Sequence, residues 1–134
     1  MSAREISQRR VDKSRSGIYW DRAMDFHRTM RDASGAGNWY GVGLAGVHCA
    51  ISATDSLLVK MAGVRSSSSN HEDAAALLRI HVRDAHTAEQ AGRLRRIIGE
   101  KNLIEYADKG YGEAEGVELQ KQVERYLSWV REIY

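Results

Sequence analysis

Apolar residues recur three and four positions apart along most of the chain, the spacing of amphipathic helices. Tyr19, Ala23, Phe26 and Met30 share one face of a first helix, predicted from about Ile18 to Ser34, while Asp21, Arg22, Asp25 and Arg28 face away. The run Gly35-Ala36-Gly37-Asn38 ends it with residues that tolerate positive φ, and Asn38 can cap the next helix. That second helix, about Trp39 to Met61, is apolar around most of its circumference, which places it at the centre of a bundle. Its Gly41, Gly43 and Gly46 cost roughly 1 kcal/mol each in helix propensity. Either close packing against a neighbouring helix offsets that cost or the helix begins later.

Ser66 to Ser69 read as a polar loop, and Asn70 with Asp73 three residues on marks the start of a third helix through about Val82. Ala74, Leu77, Leu78 and His81 form its inner face. Thr87 and Gln90 make a capping box for a fourth helix with Ala91, Leu94, Ile97 and Ile98 as its buried stripe. Gly99 is a candidate kink or break before Leu103, Ile104 and Tyr106. After a turn at Asp108 to Gly112, a fifth helix from about Glu113 to Tyr134 carries Leu119, Val123, Tyr126, Val130 and Ile133 at nearly coiled-coil spacing. Short connections make the simplest architecture an all-α, up-and-down bundle of four to five helices.

Composition narrows this further. The chain has 134 residues, enough for one core and not two, and no proline interrupts the helical pattern. Its single cysteine, Cys49, cannot close an intrachain disulfide, so a disulfide scaffold and a Cys-rich zinc module are excluded and a reducing cytoplasm fits. The N-terminus lacks the apolar core of a signal peptide, and no segment is expected to supply the roughly 20 apolar residues that cross a bilayer. Net charge is +2, but residues 1–16 alone carry +3, from Arg4, Arg9, Arg10, Lys13 and Arg15 against Glu5 and Asp12, leaving −1 for the rest. The expected organisation is a basic, flexible arm over residues 1–17 and a nearly neutral helical domain over 18–134.

Candidate chemistry is sparse. Gly41-Val42-Gly43-Leu44-Ala45-Gly46 matches a dinucleotide-binding glycine pattern, but no strand precedes it, so cofactor binding is not expected. His81 and His86, five apart, fall on different helical faces, and adjacent His48 and Cys49 diverge, so no metal set is expected. His71, beside Glu72 and Asp73, reads as a solvated helix start. The strongest signal is His48, Ser52 and Asp55 at i, i+4 and i+7, one polar line along the most apolar helix. Such a line either bonds to neighbouring helices or lines a ligand cleft. Asp55 needs a cation if buried, and the fourth helix offers Arg93, Arg95, Arg96 and Lys101, of which only a subset can face inward.

The stretch Arg96-Ile97-Ile98-Gly99-Glu100-Lys101-Asn102-Leu103-Ile104-Glu105-Tyr106, followed by the amphipathic helix ending Tyr126-Leu127-Ser128-Trp129-Val130, resembles the C-terminal half of HEPN domains. Tyr19-Trp20 through Phe26, Gly37-Asn38-Trp39 and the Ala-rich run from His48 to Leu57 resemble the opening helix pair of small stand-alone bacterial members. The resemblance implies a compact helical bundle, a homodimer, and in many members metal-independent ribonuclease activity from an Arg-polar pair followed four to six residues later by His. Here Lys101-Asn102 takes the Arg-polar place, Tyr106 stands where His is expected, and no histidine follows Lys101. A tyrosine hydroxyl, which ordinarily ionises at about pH 10, is a poor general acid or base at neutral pH.

The expectation is therefore a non-catalytic, homodimeric binding or regulatory module for nucleotide, RNA or a protein partner. It would dimerise through the fourth or fifth helix, with Asp55 paired to Lys101 or a nearby arginine and with His48, Ser52, Asp55, Arg95, Arg96, Lys101 and Asn102 as the ligand set. The alternatives are a ribonuclease in which Lys101 stabilises phosphate charge and Asn102 or Tyr106 orients the 2′-hydroxyl, and a structural subunit of an operon-encoded complex. A nucleotidyltransferase encoded next door would imply a toxin–antitoxin pair.

Overall fold

In the computed structural model, which describes residues 6–67 and 71–134, strand β1 (Gln8–Arg10) leads through one turn of 3-10 helix (Lys13–Arg15) into α1 (Ser16–Gly35) and α2 (Trp39–Ala62). Strand β2 (Val64–Ser66) follows, then α3 (Asp73–His81), α4 (Thr87–Tyr106) and α5 (Glu113–Ile133). The architecture is all-α in substance, five helices with one small antiparallel ribbon.

The α1–α2 turn is built as its residues predict. Gly37 takes φ 71°, and the Asn38 side-chain oxygen accepts a hydrogen bond from the Gly41 N–H at 3.0 Å. α2 then runs through the middle, contacted by each of the other four helices. Its glycines are contact points: a Cβ on Gly43 would collide with Ile104, and one on Gly46 would sit 3.1 Å from Met30 Sδ. Close packing therefore offsets their poor propensity. By length and composition α2 could cross a membrane, contrary to the expectation that no segment could, yet 89% of its apolar window is buried inside the bundle. Its apolar character is accounted for by the core it occupies.

Gly63, at φ 65°, ends α2 and turns the chain into β2. β2 pairs with β1 in the register Gln8↔Ser66, Arg9↔Arg65 and Arg10↔Val64, and the Val11 N–H donates to the Gly63 carbonyl at 2.9 Å. Residues 8–15, expected within a flexible arm, are thus attached to the body, and Asp12 caps the 3-10 turn by accepting from the Ser14 N–H at 2.9 Å. The reason is backbone pairing, which needs no apolar side chains: all three β1 residues are exposed. Asn70, the expected cap of the third helix, lies outside the described residues; that helix begins at Asp73, whose carboxylate accepts from the Ser7 N–H at 3.0 Å.

Two local expectations change. Thr87 and Gln90 form no capping box, because the Thr87 hydroxyl donates to the Val82 carbonyl at 3.0 Å. The turn is held instead by Asp84, which accepts from the His86 N–H at 3.0 Å and from Trp129 Nε1 at 2.9 Å. Gly99 produces no break, since α4 continues through it to Tyr106. In α5 the apolar stripe of Leu119, Val123, Tyr126, Leu127, Trp129 and Val130 is entirely buried.

Candidate functional site

A groove of about 760 Å³ runs between α3 and α4. On α4 it is lined by Arg95, Ile98, Gly99, Asn102, Glu105 and Tyr106, positions three and four apart that form one stripe beside the buried stripe of Ala91, Leu94, Ile97 and Ile104. On α3, Glu72, Ala75, Ala76 and Arg79 repeat the same spacing, while Asp73 and Lys101 complete the wall. Helical periodicity therefore aims both sets of side chains into one channel.

The groove carries charges of both signs, the carboxylates of Glu72, Asp73 and Glu105 beside the cations Arg79, Arg95 and Lys101. The Asp73 carboxylate is occupied by the Ser7 N–H. Arg79, Arg95 and Lys101 make no ion pair or hydrogen bond with any of the described residues. Tyr106, at the end of α4, is 76% exposed.

Two histidines lie within electrostatic reach of Lys101. Gly43 of α2 abuts Ile104 of α4, and the Lys101 ammonium helps to hold the His48 pKa down. His71, at the entry to α3, takes φ 60° and is half-buried, and its Nδ1 is buried without a hydrogen-bond partner among the described residues. Both imidazoles are held below the ordinary value of 6.5, by burial first and then by Lys101; Glu105 opposes the shift at His48, whereas His48 and Arg65 add to it at His71. Neither histidine is among the residues that line the groove. The His48 ring also packs against Phe26, centroids 5.3 Å apart.

The remaining candidates lie elsewhere. Ser52 and Asp55 are buried, and Asp55 pairs at 3.5 Å with Arg65 of β2, not with Lys101 or an arginine of α4. The correction follows from helix geometry: Asp55 is two turns beyond His48, roughly 10 Å along α2, at the end covered by the ribbon. Burial pushes its pKa up to about 7 against the pull of Arg65 and Arg22. Arg65 and Arg22 each lie 5.4 Å from the Tyr19 ring centroid. Arg96 is exposed and does not line the groove; its guanidinium approaches Gly92 on its own helix. The proposed ligand set therefore divides, with Arg95, Lys101 and Asn102 in the groove and His48, Ser52, Asp55 and Arg96 outside its lining.

The glycine pattern at Gly41, Gly43 and Gly46 lies inside a continuous helix, where its N–H groups are not free to meet a pyrophosphate. Cys49 is buried, and burial pushes its thiol up to about 12, which makes it inert as a nucleophile. Among the described residues, no group of three or more His, Cys, Asp or Glu side chains could hold a metal ion.

Arg79 lines the groove without having been singled out among the candidates. Arg79 was legible in principle, since it falls on the same face as Glu72, Ala75 and Ala76.

Compared with known proteins, the chain matches no family model, no curated protein and no solved structure.

Proposed function

We propose that this chain is a HEPN-like, homodimeric module that binds single-stranded RNA, or a nucleotide as its smallest fragment, in the α3–α4 groove without cleaving it. The observation that carries the reading is the set of three cations, Arg79, Arg95 and Lys101, that line one channel and have no carboxylate partner among the described residues. Cations placed this way neutralise phosphates and release condensed counterions, which makes binding strong and salt-dependent. Exposed Tyr106 at the end of α4 offers a face on which a base can stack, worth roughly 1–3 kcal/mol. Asn102, one turn before it, supplies both a donor and an acceptor to a base edge.

The resemblance to HEPN domains supports the bundle, the second copy and the RNA, while Tyr106 in the place of the family's histidine supports binding without cleavage. The second copy would dock on α4. The α5 stripe is already used in the core, whereas Leu103 of α4 remains 42% exposed outside the groove.

Fluorescence anisotropy with a labelled single-stranded oligoribonucleotide tests the reading. Binding is expected to weaken with salt and to fall about tenfold or more in Lys101→Ala and in Arg95→Ala, a change of roughly 1.4 kcal/mol each. Affinity that neither substitution alters would overturn the groove as the site. Cleavage of the RNA that disappears in Lys101→Ala would overturn the non-catalytic part, and a strict monomer by light scattering would overturn the dimer.

A further inference from the structure

The charges that line the groove are sorted along its length. α3 and α4 are packed neighbours joined by the short connection 82–86, so they run antiparallel. Arg79, near the end of α3, therefore shares one end of the groove with Arg95, in the first half of α4. Glu72 and Asp73, at the start of α3, lie toward Asn102, Glu105 and Tyr106 in the last turns of α4. One end thus offers two guanidinium groups, and the other three carboxylates against the single ammonium of Lys101. A phosphate is drawn to the first end and turned away from the second.

The second end has chemistry of its own. Asn102, Glu105 and Tyr106 stand at i, i+3 and i+4, so their side chains are neighbours on one face of α4. The Asp73 carboxylate is engaged by the Ser7 N–H. Glu105 and Asn102 make no ion pair or hydrogen bond with any of the described residues. A carboxylate only accepts, whereas a carboxamide also donates. Side by side they offer a ligand one amide donor and two carboxylate acceptors, and guanine carries the complement on its Watson–Crick edge: O6 accepts, while N1–H and the 2-amino group donate.

We propose that this end of the groove is a guanine-selective base subsite, in which Glu105 accepts from N1–H and the 2-amino group, Asn102 donates to O6, and the base stacks on Tyr106. The inference rests on the groove being an RNA or nucleotide site, and it names the base that site reads.

The other bases fail on the same edge. Adenine, cytosine and uracil each give the carboxylate one donor group and set a ring-nitrogen or carbonyl lone pair beside it, which leaves acceptor facing acceptor. Stacking does not choose among bases, and neither does neutralisation of phosphate. Glu105 is therefore the specificity-determining residue. The dimensions suit one nucleotide, because Arg95 and Asn102 are two turns apart, roughly 10 Å along α4, about the reach from a 5′-phosphate to the far edge of its base. The groove volume of about 760 Å³ is ample for it.

The test uses labelled oligouridylates of about six nucleotides in which one central base is guanine, hypoxanthine, adenine, cytosine or uracil, by anisotropy against the full chain. Guanine is expected to bind about tenfold tighter than adenine, cytosine or uracil, with hypoxanthine, which lacks only the 2-amino group, in between. Glu105→Gln separates base reading from simple charge. If Glu105 acted only through its charge, removing it would tighten every oligonucleotide alike. The subsite instead predicts that the tenfold advantage of guanine disappears. Tyr106→Ala should weaken all five alike. Asn102, Glu105 and Tyr106 are all exposed, so these substitutions spare the core.

Equal affinity of the wild type for all five oligonucleotides would overturn the subsite and leave the groove reading intact. So would a guanine preference that survives in Glu105→Gln. Failure of every oligonucleotide to bind would overturn the groove reading, and this inference with it.

Discussion

Asp55 and Arg65 form an ion pair, 3.5 Å apart, that fastens the C-terminal part of α2 to the β1–β2 ribbon. The carboxylate is 4% exposed, and burial outweighs the attraction of Arg65 and Arg22, holding its pKa up at about 7. Removing an unsuitably solvated charge from water costs more than one partner at this distance returns.

The pH dependence of folding follows directly. Between the ordinary value of 3.8 and about 7, the folded chain keeps a proton on Asp55 that the unfolded chain has released. The unfolded state then binds fewer protons, so stability falls as pH rises through that window and is flat with respect to this group on either side. The loss is on the order of a few kcal/mol. Urea unfolding at about pH 5 and about pH 8 should show this slope in the wild type and a much flatter one in Asp55→Asn; an identical slope in both contradicts the assignment.

Tyr126 is fully buried, and its hydroxyl meets Thr54 Oγ1. The Thr54 hydroxyl donates to the Ala50 carbonyl at 2.7 Å, which leaves Tyr126 as donor to Thr54. Burial holds the phenol well above its ordinary pKa, so the donor proton stays in place across the neutral range. Tyr126→Phe is expected to cost roughly 1 kcal/mol and Thr54→Val a similar amount. Denaturant titration of both variants and the double variant should show less than additive loss; strict additivity would mean the two groups do not interact.

Two glycines should respond with opposite sign to alanine. Gly99 lies in α4 with open space around it, so Gly99→Ala should raise stability by roughly 0.5–1 kcal/mol through helix propensity alone. At Gly116 a Cβ would lie 2.7 Å from Cε3 of the rigid Trp39 indole, and Gly116→Ala should cost roughly 1–3 kcal/mol. Thermal unfolding of the two variants checks the signs; stabilisation by Gly116→Ala would show that Trp39 does not pack there.

These contrasts also explain what could be read without coordinates. The five helices were legible because each repeats an apolar stripe three or more times, and α2 was legible as central because its stripe closes on itself. The ribbon was not. Its strands are three residues each, β1 is wholly exposed, and their pairing joins positions more than fifty residues apart, so no periodic signal exists in either one. Missing the ribbon meant missing Arg65, and with it the true partner of Asp55.

The grouping of Lys101, Asn102, Tyr106 and Arg95 on one stripe follows from helical spacing and was accessible. The partition of the polar line on α2 was not, because which end of it α4 covers depends on the contact between Gly43 and Ile104.

The central claim is that phosphate-bearing ligands enter between α3 and α4. Backbone amide shifts in a proton–nitrogen NMR titration with a short single-stranded oligoribonucleotide test it most directly. The largest changes are expected on residues 72–79 and 95–106. Changes concentrated on the outer faces of α1 and α5, or none at saturating ligand, would contradict it.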